Sequence, residues 1–201
     1  MFIQVISGKV VDAEGFRREE ERWVAELRPG ATGFLGSTSG ITSDTRFLVT
    51  ARFDSAESAR RNSDRPEQGA WWSDFEKTVS DVVFHDCSKV VTMLGGGSDD
   101  AKFVQVMRGH VKDRAAVDRI EARRDDLERV IRDARPDILG ETICYHDDGD
   151  GYTDVVYFTS EADARAGEKD FPTGEAKVLL DELMQAVDIE EFLDFKNLNM
   201  I

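Results

Sequence analysis

A pair of aromatic residues in the first half of the chain is the set best suited to hold a ligand. Residues 62–72 read NSDRPEQGAWW, so polar groups interrupt a helical pattern just before Trp71 and Trp72. Tryptophan offers a wide apolar surface and one N–H donor, which suits a flat aromatic molecule. We predict that Trp71 and Trp72 form the walls of a binding site, with Asn62 and Arg65 near its mouth. The alternative is that both tryptophans fill the core, which their helical spacing also allows.

A carboxylate in the same half could act as a base. Asp86 stands between His85 and Cys87, and an aspartate recurs at the matching place in the second half, as Asp194. Alternation along a strand sends His85 and Cys87 to one face of the sheet and Asp86 to the other. Two interpretations remain open, because Asp86 could remove a proton from a substrate or could hold a neighbouring loop through hydrogen bonds.

An amide on the first predicted strand is a further polar contact. Gln4 alternates with apolar residues, shares a face with Phe2, and recurs in the second half as Gln105. On an interior face the amide could orient a ligand carbonyl, whereas under a helix layer it would satisfy backbone groups. The alternation predicts faces without identifying them, so both interpretations stay open.

The remaining polar motifs do not favour a metal or nucleotide site. Cys87 and Cys144 lie in different halves without metal-ligand spacing. The run DDGDG at 147–151 lacks the order of a calcium loop and is typical of a hairpin turn. The run GGGS at 95–98 is followed by two aspartates instead of the lysine of a phosphate-binding loop. We therefore expect no metal ion.

A repeat over nearly the whole chain sets the elements that must position these residues. FIQVISGKV at 2–10 and FVQVMRGHV at 103–111 predict the same strand twice. A helical stretch follows each copy and is expected to end before Pro29 or Pro136. Strands closing on Phe53 and Phe158 come next, then a second helix and a last strand. Each half is therefore predicted to be a βαββαβ unit of the ferredoxin-like type.

The repeat also predicts the domain organisation. The boundaries are 1–94 for the first repeat, 95–101 for a Gly-rich linker and 102–201 for the second repeat. A four-stranded sheet with helices on one face leaves its other face bare, so two such units gain by packing together. We expect an α+β fold in which the two repeats pack as an intramolecular dimeric α+β barrel. The chain would act as a monomeric pseudo-dimer or would associate further as a homodimer.

Composition limits the class of partner and the compartment. The 201 residues carry a formal net charge of -15, which would repel the phosphates of a nucleic acid. The longest unbroken apolar run, VVYF at 155–158, is far shorter than the roughly 20 residues that span a bilayer. We expect no nucleic-acid partner, no membrane partner and a cytoplasmic location.

With the repeated FxQVxxGxV strand and this element order, the chain resembles the dimeric α+β barrel superfamily and its antibiotic-biosynthesis-monooxygenase-like members, here as a tandem fusion. The resemblance implies several activities, among them oxygenation of aromatic polyketides without a cofactor and heme degradation, besides members with no known reaction. Heme-degrading relatives use an Asn, a Trp and a His, and this chain has Asn62, Trp71 and Trp72 but places its nearest histidine, His85, on the next strand. We expect no cofactor.

These observations lead to two functional hypotheses. In the first, the first repeat binds a small apolar or aromatic molecule between Trp71 and Trp72, with Gln4 or Asp86 as polar contacts. The resemblance then implies a cofactor-independent monooxygenase in which Asp86 is the base. In the second, the protein is a non-catalytic small-molecule-binding or interaction protein whose barrel is filled by side chains. A cavity lined by Trp72 and Asp86 would favour the first hypothesis.

Overall fold

The computed structural model of the chain describes residues 1–170, 173–195 and 197–201, which form two compact units. The first unit comprises Met1–Lys89 together with Asn197–Ile201, and the second comprises Val90–Lys196. Each unit is built on a five-stranded sheet. The predicted α+β class and the predicted βαββαβ order of both repeats are confirmed.

The first unit carries its second helix in two pieces. Its elements in chain order are β1 (Phe2–Val10), α1 (Ala13–Arg22), β2 (Phe34–Ile41), β3 (Arg46–Phe53), α2 (Ala56–Ser63), α3 (Pro66–Phe75) and β4 (Val79–Cys87). A π-helical turn, Trp23–Leu27, continues α1 and is followed by a 3-10 turn at Arg28–Gly30. Pro66 begins α3 because its missing N–H falls where a helix needs none.

The second unit repeats this plan with one further break, in its first helix. Its elements are β5 (Lys89–Met93), β6 (Phe103–Val111), α4 (Arg114–Glu121), α5 (Arg124–Ala134), β7 (Ile138–Tyr145), β8 (Gly151–Phe158), α6 (Glu161–Gly167), α7 (Gly174–Ala186) and β9 (Val187–Phe195). A final strand, β10 (Asn197–Met200), belongs to the sheet of the first unit.

The strand orders are β10-β2-β3-β1-β4 in the first sheet and β5-β7-β8-β6-β9 in the second. Without β10 and β5, both sheets have the same ferredoxin-like order. The sequence analysis did not predict these two edge strands, because each pairs with residues far away in the chain. Val79 and Val187, which continue the apolar pattern of the preceding helices in the sequence, begin β4 and β9. The predicted domain boundaries follow the sequence repeat and stay a prediction.

The same local signals begin the helices in both units. Asp12 and Asp113 accept a hydrogen bond from the third N–H after them at the starts of α1 and α4. Ser55 and Ser160 do the same for α2 and α6. Such caps satisfy backbone donors that the first turn of a helix leaves unpaired.

The glycine in the repeated strand motif allows two backbones to approach each other. A Cβ atom on Gly8 would lie 2.7 Å from the carbonyl oxygen of Ser80, and one on Gly109 would lie 1.8 Å from that of Asp188. Both glycines stand where the pairing of the two strands shifts by one residue. The repeated glycine therefore accommodates a β-bulge in each sheet.

The register of the first sheet decides which side chains face the helices. Opposite Phe47, Val49 and Ala51 on β3 stand Gly8, Ile6 and Gln4 on β1. Phe47 packs in one buried cluster with residues of the helices, namely Phe16, Leu27, Trp71 and Phe75. This face is therefore the helix-covered one, and Gln4 lies on it. His85 pairs with Val5 and belongs to the opposite face.

None of the helices in the described ranges is both long enough and apolar enough to cross a membrane.

Candidate ligand cavity

A partly open cavity of about 110 Å³ lies in the first unit, between the sheet and the helices. Its floor consists of residues from β1 and β3. Its walls come from α1 and the π-helical turn after it, from α2 and α3, and from β2 and Ile201. The lining residues are Gln4, Ile6, Glu20, Trp23, Phe34, Ser37, Val49, Ala51, Phe53, Asn62, Ser63, Gln68, Trp71, Trp72, Phe75 and Ile201. Apolar and aromatic side chains predominate, and a few polar groups stand among them, which is the usual composition of a small-molecule site.

The two predicted tryptophans both line this cavity, but their environments differ. Trp71 is 8% exposed, belongs to the core cluster and donates its indole N–H to the backbone oxygen of Glu19 at 2.9 Å. Trp72 is half-buried, and its ring centroid lies 5.3 Å from that of Phe75 and 5.2 Å from that of Phe84. Trp71 therefore belongs both to the core and to the wall of the cavity, whereas Trp72 belongs mainly to the wall of the cavity.

A third tryptophan, which the sequence analysis missed, completes the aromatic lining. Trp23 opens the π-helical turn after α1, donates its indole N–H to Gln68 at 2.9 Å, and meets the ring of Phe34 edge to face at 4.8 Å. A π-helical turn is rare and often marks a functional site. Nothing in the local pattern around Trp23 distinguishes a cavity wall from a core residue.

Gln4 lies in the cavity floor and is held there by Asp86. The Gln4 amide nitrogen donates to the Asp86 carboxylate at 2.9 Å, and the two residues stand opposite each other on β1 and β4. The Gln4 amide oxygen is therefore the atom left to accept a hydrogen bond from a ligand. Asp86 itself is exposed and is not among the residues that line the cavity. Gln4 thus lies under the helices, where the sequence analysis expected it to satisfy backbone groups, but its partner is the carboxylate of Asp86.

Asn62, like Gln4, lines the cavity and is held by a charged side chain, here that of Arg65. Asn62 is 8% exposed and lines the cavity, and its amide oxygen accepts from the Arg65 guanidinium at 2.9 Å. Arg65 also donates to the backbone oxygen of Leu27 at 3.0 Å and to the carboxylate of Glu67. Arg65 therefore joins the start of α3 to the π-helical turn that follows α1 and fixes the amide of Asn62, while its own side chain is not among the lining residues.

One carboxyl group in the cavity wall was missed by the sequence analysis. Glu20, on α1, accepts from the Ser39 hydroxyl at 2.5 Å and from the side chain of Asn199. Burial raises the pKa of Glu20 above its ordinary value, and these two hydrogen bonds offset part of the effect. In the sequence Glu20 stands in the charged run RREEER, which is typical of a solvated helix face.

In the second unit, charged side chains occupy the corresponding part of the sheet. Gln105 donates to Asp194 at 3.0 Å, as Gln4 does to Asp86, but here Arg165 also pairs with Asp194 and lies over the ring of Phe103. The matching arginine of the first unit, Arg60, bonds to Glu57 and Asp64 at the surface.

Two carboxyl groups stand on the same face in the second unit, at positions that match Ser37 and Val49 in the cavity. Opposite Val156 on β8 lies Glu141, and opposite Met107 on β6 lies Asp154. The two side chains are hydrogen-bonded to each other, and burial raises the pKa of both. One oxygen of Asp154 is buried without a hydrogen-bond partner among the described residues. The cavity of the first unit thus corresponds to a region of the second unit that is lined by charged and polar side chains.

No protein-family model and no curated protein matches the sequence of this chain. Solved structures match its fold over both repeats. A putative monooxygenase from Lactobacillus acidophilus NCFM has a TM-score of 0.72 at 14% identity, covering 98% of this chain and 94% of that one. An anthrone oxidase-like protein has a TM-score of 0.67 at 13% identity, with coverage of 100% and 92%.

The chain has the fold of these monooxygenase-like proteins. The resemblance to antibiotic-biosynthesis-monooxygenase-like proteins is thereby confirmed at the level of the fold. A heme-degrading enzyme from Listeria monocytogenes shares it less closely, with a TM-score of 0.51 at 8% identity and coverage of 98% of this chain and 99% of that one. At these identities, function has to be argued from the cavity itself.

The cavity does not fit heme. Heme iron takes an axial His, Cys, Met or Tyr, and the residues that line the described cavity include none of these. His85 lies on the face of the sheet opposite to Gln4, because its register partner is Val5.

Proposed function

We propose that the first unit binds a small, uncharged, largely aromatic molecule in the cavity between its sheet and its helices. The observation that carries this proposal is the lining, in which Trp23, Trp71, Trp72 and further aromatic rings surround a partly open space. An apolar cavity of roughly 150 Å³ is enough to hold a benzene ring. The cavity has this order of size, and its opening leaves room for a larger ring system.

The polar groups supply orientation within this apolar lining. A carbonyl on the ligand would accept from the Asn62 amide nitrogen, and a hydroxyl would donate to the Gln4 amide oxygen. Arg65 and Asp86 support these two amides from behind, and so reduce the freedom that the amides would lose on binding.

Equilibrium dialysis with naphthalene tests the proposal. We expect one naphthalene per chain, and we expect Trp72→Ala to weaken its binding at least about tenfold, because the variant loses a large part of the aromatic wall. Leu180→Ala, at the position of the second repeat that matches Trp72, is the control and should bind like the native protein. Equal binding by native protein and Trp72→Ala, or no binding at all, would refute the proposal.

The reaction that suits this cavity is oxygenation of the ligand by O₂ without a bound cofactor. Two facts support it: the fold is shared with a putative monooxygenase and with an anthrone oxidase-like protein, and the cavity is aromatic without an axial ligand for heme. Such a reaction begins when a base removes a proton from an activated C–H group, leaving the electron pair on the substrate. Anthrone is a suitable probe, because with one O₂ it gives anthraquinone and one water.

Asp86, the base predicted from the sequence, is one of the groups to test. Because it accepts from Gln4 and does not line the cavity, we assign it the role of positioning the Gln4 amide. Asp86→Asn should then weaken anthrone binding and retain turnover, measured as O₂ uptake. Turnover that is lost while anthrone still binds would make Asp86 the base after all. Absence of O₂ uptake by the native protein, with anthrone bound, would favour the non-catalytic hypothesis.

A further inference from the structure

Glu20 is the one ionisable side chain among the described residues that line the cavity, and the proposed function assigns it no role. Glu20 lies on α1, one residue before the end of the acidic run, and faces β2 and β10 of the sheet. Its carboxylate accepts from the Ser39 hydroxyl at 2.5 Å and from the Asn199 side chain. Both partners are neutral, so neither cancels the charge that Glu20 carries when it is ionised.

The two charged side chains that act on the pKa of Glu20, Arg17 and Glu21, lie on its own helix. Arg17, one turn earlier, lowers the pKa of Glu20, and Glu21 raises it, both by smaller amounts than burial does. From the elements packed against it, β2 contributes Ser39 and β10 contributes Asn199. An ionised Glu20 is therefore a half-buried anion beside an apolar space, where a further hydrogen-bond donor stabilises it more than in water.

The second repeat carries a carboxyl group at the matching position. Counted from the capping residues Asp12 and Asp113, Glu20 and Glu121 hold the same helix position. The Glu121 carboxylate accepts from the hydroxyl of Tyr145 at 2.5 Å. In that unit, the matching carboxylate is therefore paired with a phenol of the protein itself.

We propose that Glu20 selects the ligand of the cavity by accepting a hydrogen bond from one of its hydroxyl groups. This inference rests on the proposed function, because it concerns the same cavity. A neutral ring with a hydroxyl directed at Glu20 is favoured over the bare ring, since hydrogen bonds to a charged group are strong. A ring with a carboxylate at the same place is disfavoured, because two anions would face each other in an apolar setting.

Three probes of similar size separate these outcomes: naphthalene, 2-naphthol and 2-naphthoate. At pH 8 we expect the native protein to bind 2-naphthol at least about tenfold more tightly than naphthalene, and 2-naphthoate more weakly than naphthalene. In Glu20→Gln the preference for 2-naphthol should fall to about threefold or less, and 2-naphthoate should bind more tightly than it does to the native protein. Glu121→Gln is the matched control and should behave as native protein.

The pH dependence gives a second test, which needs no variant. Glu20 is ionised above its own pKa, so on lowering the pH through that value the preference for 2-naphthol over naphthalene, both neutral in this range, should decline. The same trend is expected in Asp86→Asn, which excludes the carboxyl behind Gln4 as its source. A preference that is unchanged both by pH and by Glu20→Gln would overturn the inference.

The measurements distinguish failure of the proposed function from failure of the role of Glu20. Tight binding of naphthalene without any preference for 2-naphthol leaves the proposed function standing and refutes the role of Glu20. If none of the three probes binds to the native protein, both the proposed function and the role of Glu20 are refuted. If Glu20→Gln does not fold, the pH series on the native protein decides.

Discussion

At the scale of single residues, the two adjacent tryptophans illustrate how one motif can divide its roles. Trp71 has its indole N–H satisfied by a backbone carbonyl and packs within the core of the first unit. Trp72 keeps part of its ring in contact with the open space of the cavity. Helical spacing predicted that both residues lie on the packed side of α3, and the division between them depends on contacts with α1 and β4.

The two residues should therefore respond differently to truncation. Trp71→Ala is expected to lower the free energy of unfolding by about 3–5 kcal/mol, because it leaves a large void in the core and an unpaired carbonyl on Glu19. Trp72→Ala should cost less than half as much, since its ring is half-buried and borders an existing cavity. Urea denaturation followed by circular dichroism measures both values. An equal loss of stability in the two variants would contradict the division between core and wall.

The residues that the sequence analysis did not find have a common physical reason. Glu20 stands among five other charged residues, and Trp23 stands at the end of a helix. From the sequence alone, Glu20 therefore looks like an ordinary surface residue and Trp23 like an ordinary core residue. What distinguishes them is the sheet that packs against α1, and in particular Ser39 and Phe34 on β2. Gln4, Asn62, Trp71 and Trp72, which line the cavity, were singled out in the sequence because the repeat or the aromatic pair draws attention to them, and their role in binding stays a prediction.

At the scale of elements, the repeat predicted the order of helices and strands well, because caps, prolines and alternation are local signals. Asp12 and Asp113 cap equivalent helices, and the glycines of the repeated strand allow equivalent bulges. Edge strands β5 and β10 were missed because their partners, β7 and β2, lie elsewhere in the chain. The pairing of strands that are distant in sequence depends on tertiary contacts that no short pattern contains.

The strands β7 and β8 carry a buried carboxyl pair whose effect on stability depends on pH. Burial raises the pKa of Asp154 and of Glu141, so the folded protein holds their protons more tightly than the unfolded chain does. As the pH rises above about 4, where unfolded carboxyl groups ionise, the unfolded state loses its protons first. The contribution of this pair to stability should therefore fall with rising pH.

Replacing Asp154 by Asn should remove much of this dependence. The Asn side chain can donate to Glu141 without having to be protonated, so we expect Asp154→Asn to be about 1–3 kcal/mol more stable than native protein at pH 8, with the difference vanishing near pH 4. Urea denaturation across this pH range measures it. Asp99→Asn, an exposed position, is the control. A native protein that gains stability relative to Asp154→Asn as the pH rises would show that the sign is wrong.

At the scale of the whole molecule, the two repeats share a plan but differ in what they place on the helix-covered face of the sheet. The first unit lines it with apolar side chains and three tryptophans around a cavity, whereas the second places Glu141, Asp154 and Arg165 there. We infer that the duplicated unit keeps its fold through the shared motifs, while ligand binding is assigned to one copy. A stoichiometry of one ligand per chain follows from this difference.

Diffraction from crystals of the protein grown with 2-bromonaphthalene tests the central claim most directly, because the anomalous signal of bromine locates the probe without prior assumptions. The account predicts a single bromine site per chain, in the first unit, within contact distance of Trp72 and of the floor formed by Ile6 and Val49. A bromine site in the second unit, or a cavity in the first unit that stays without bromine at a saturating concentration of the probe, would contradict it.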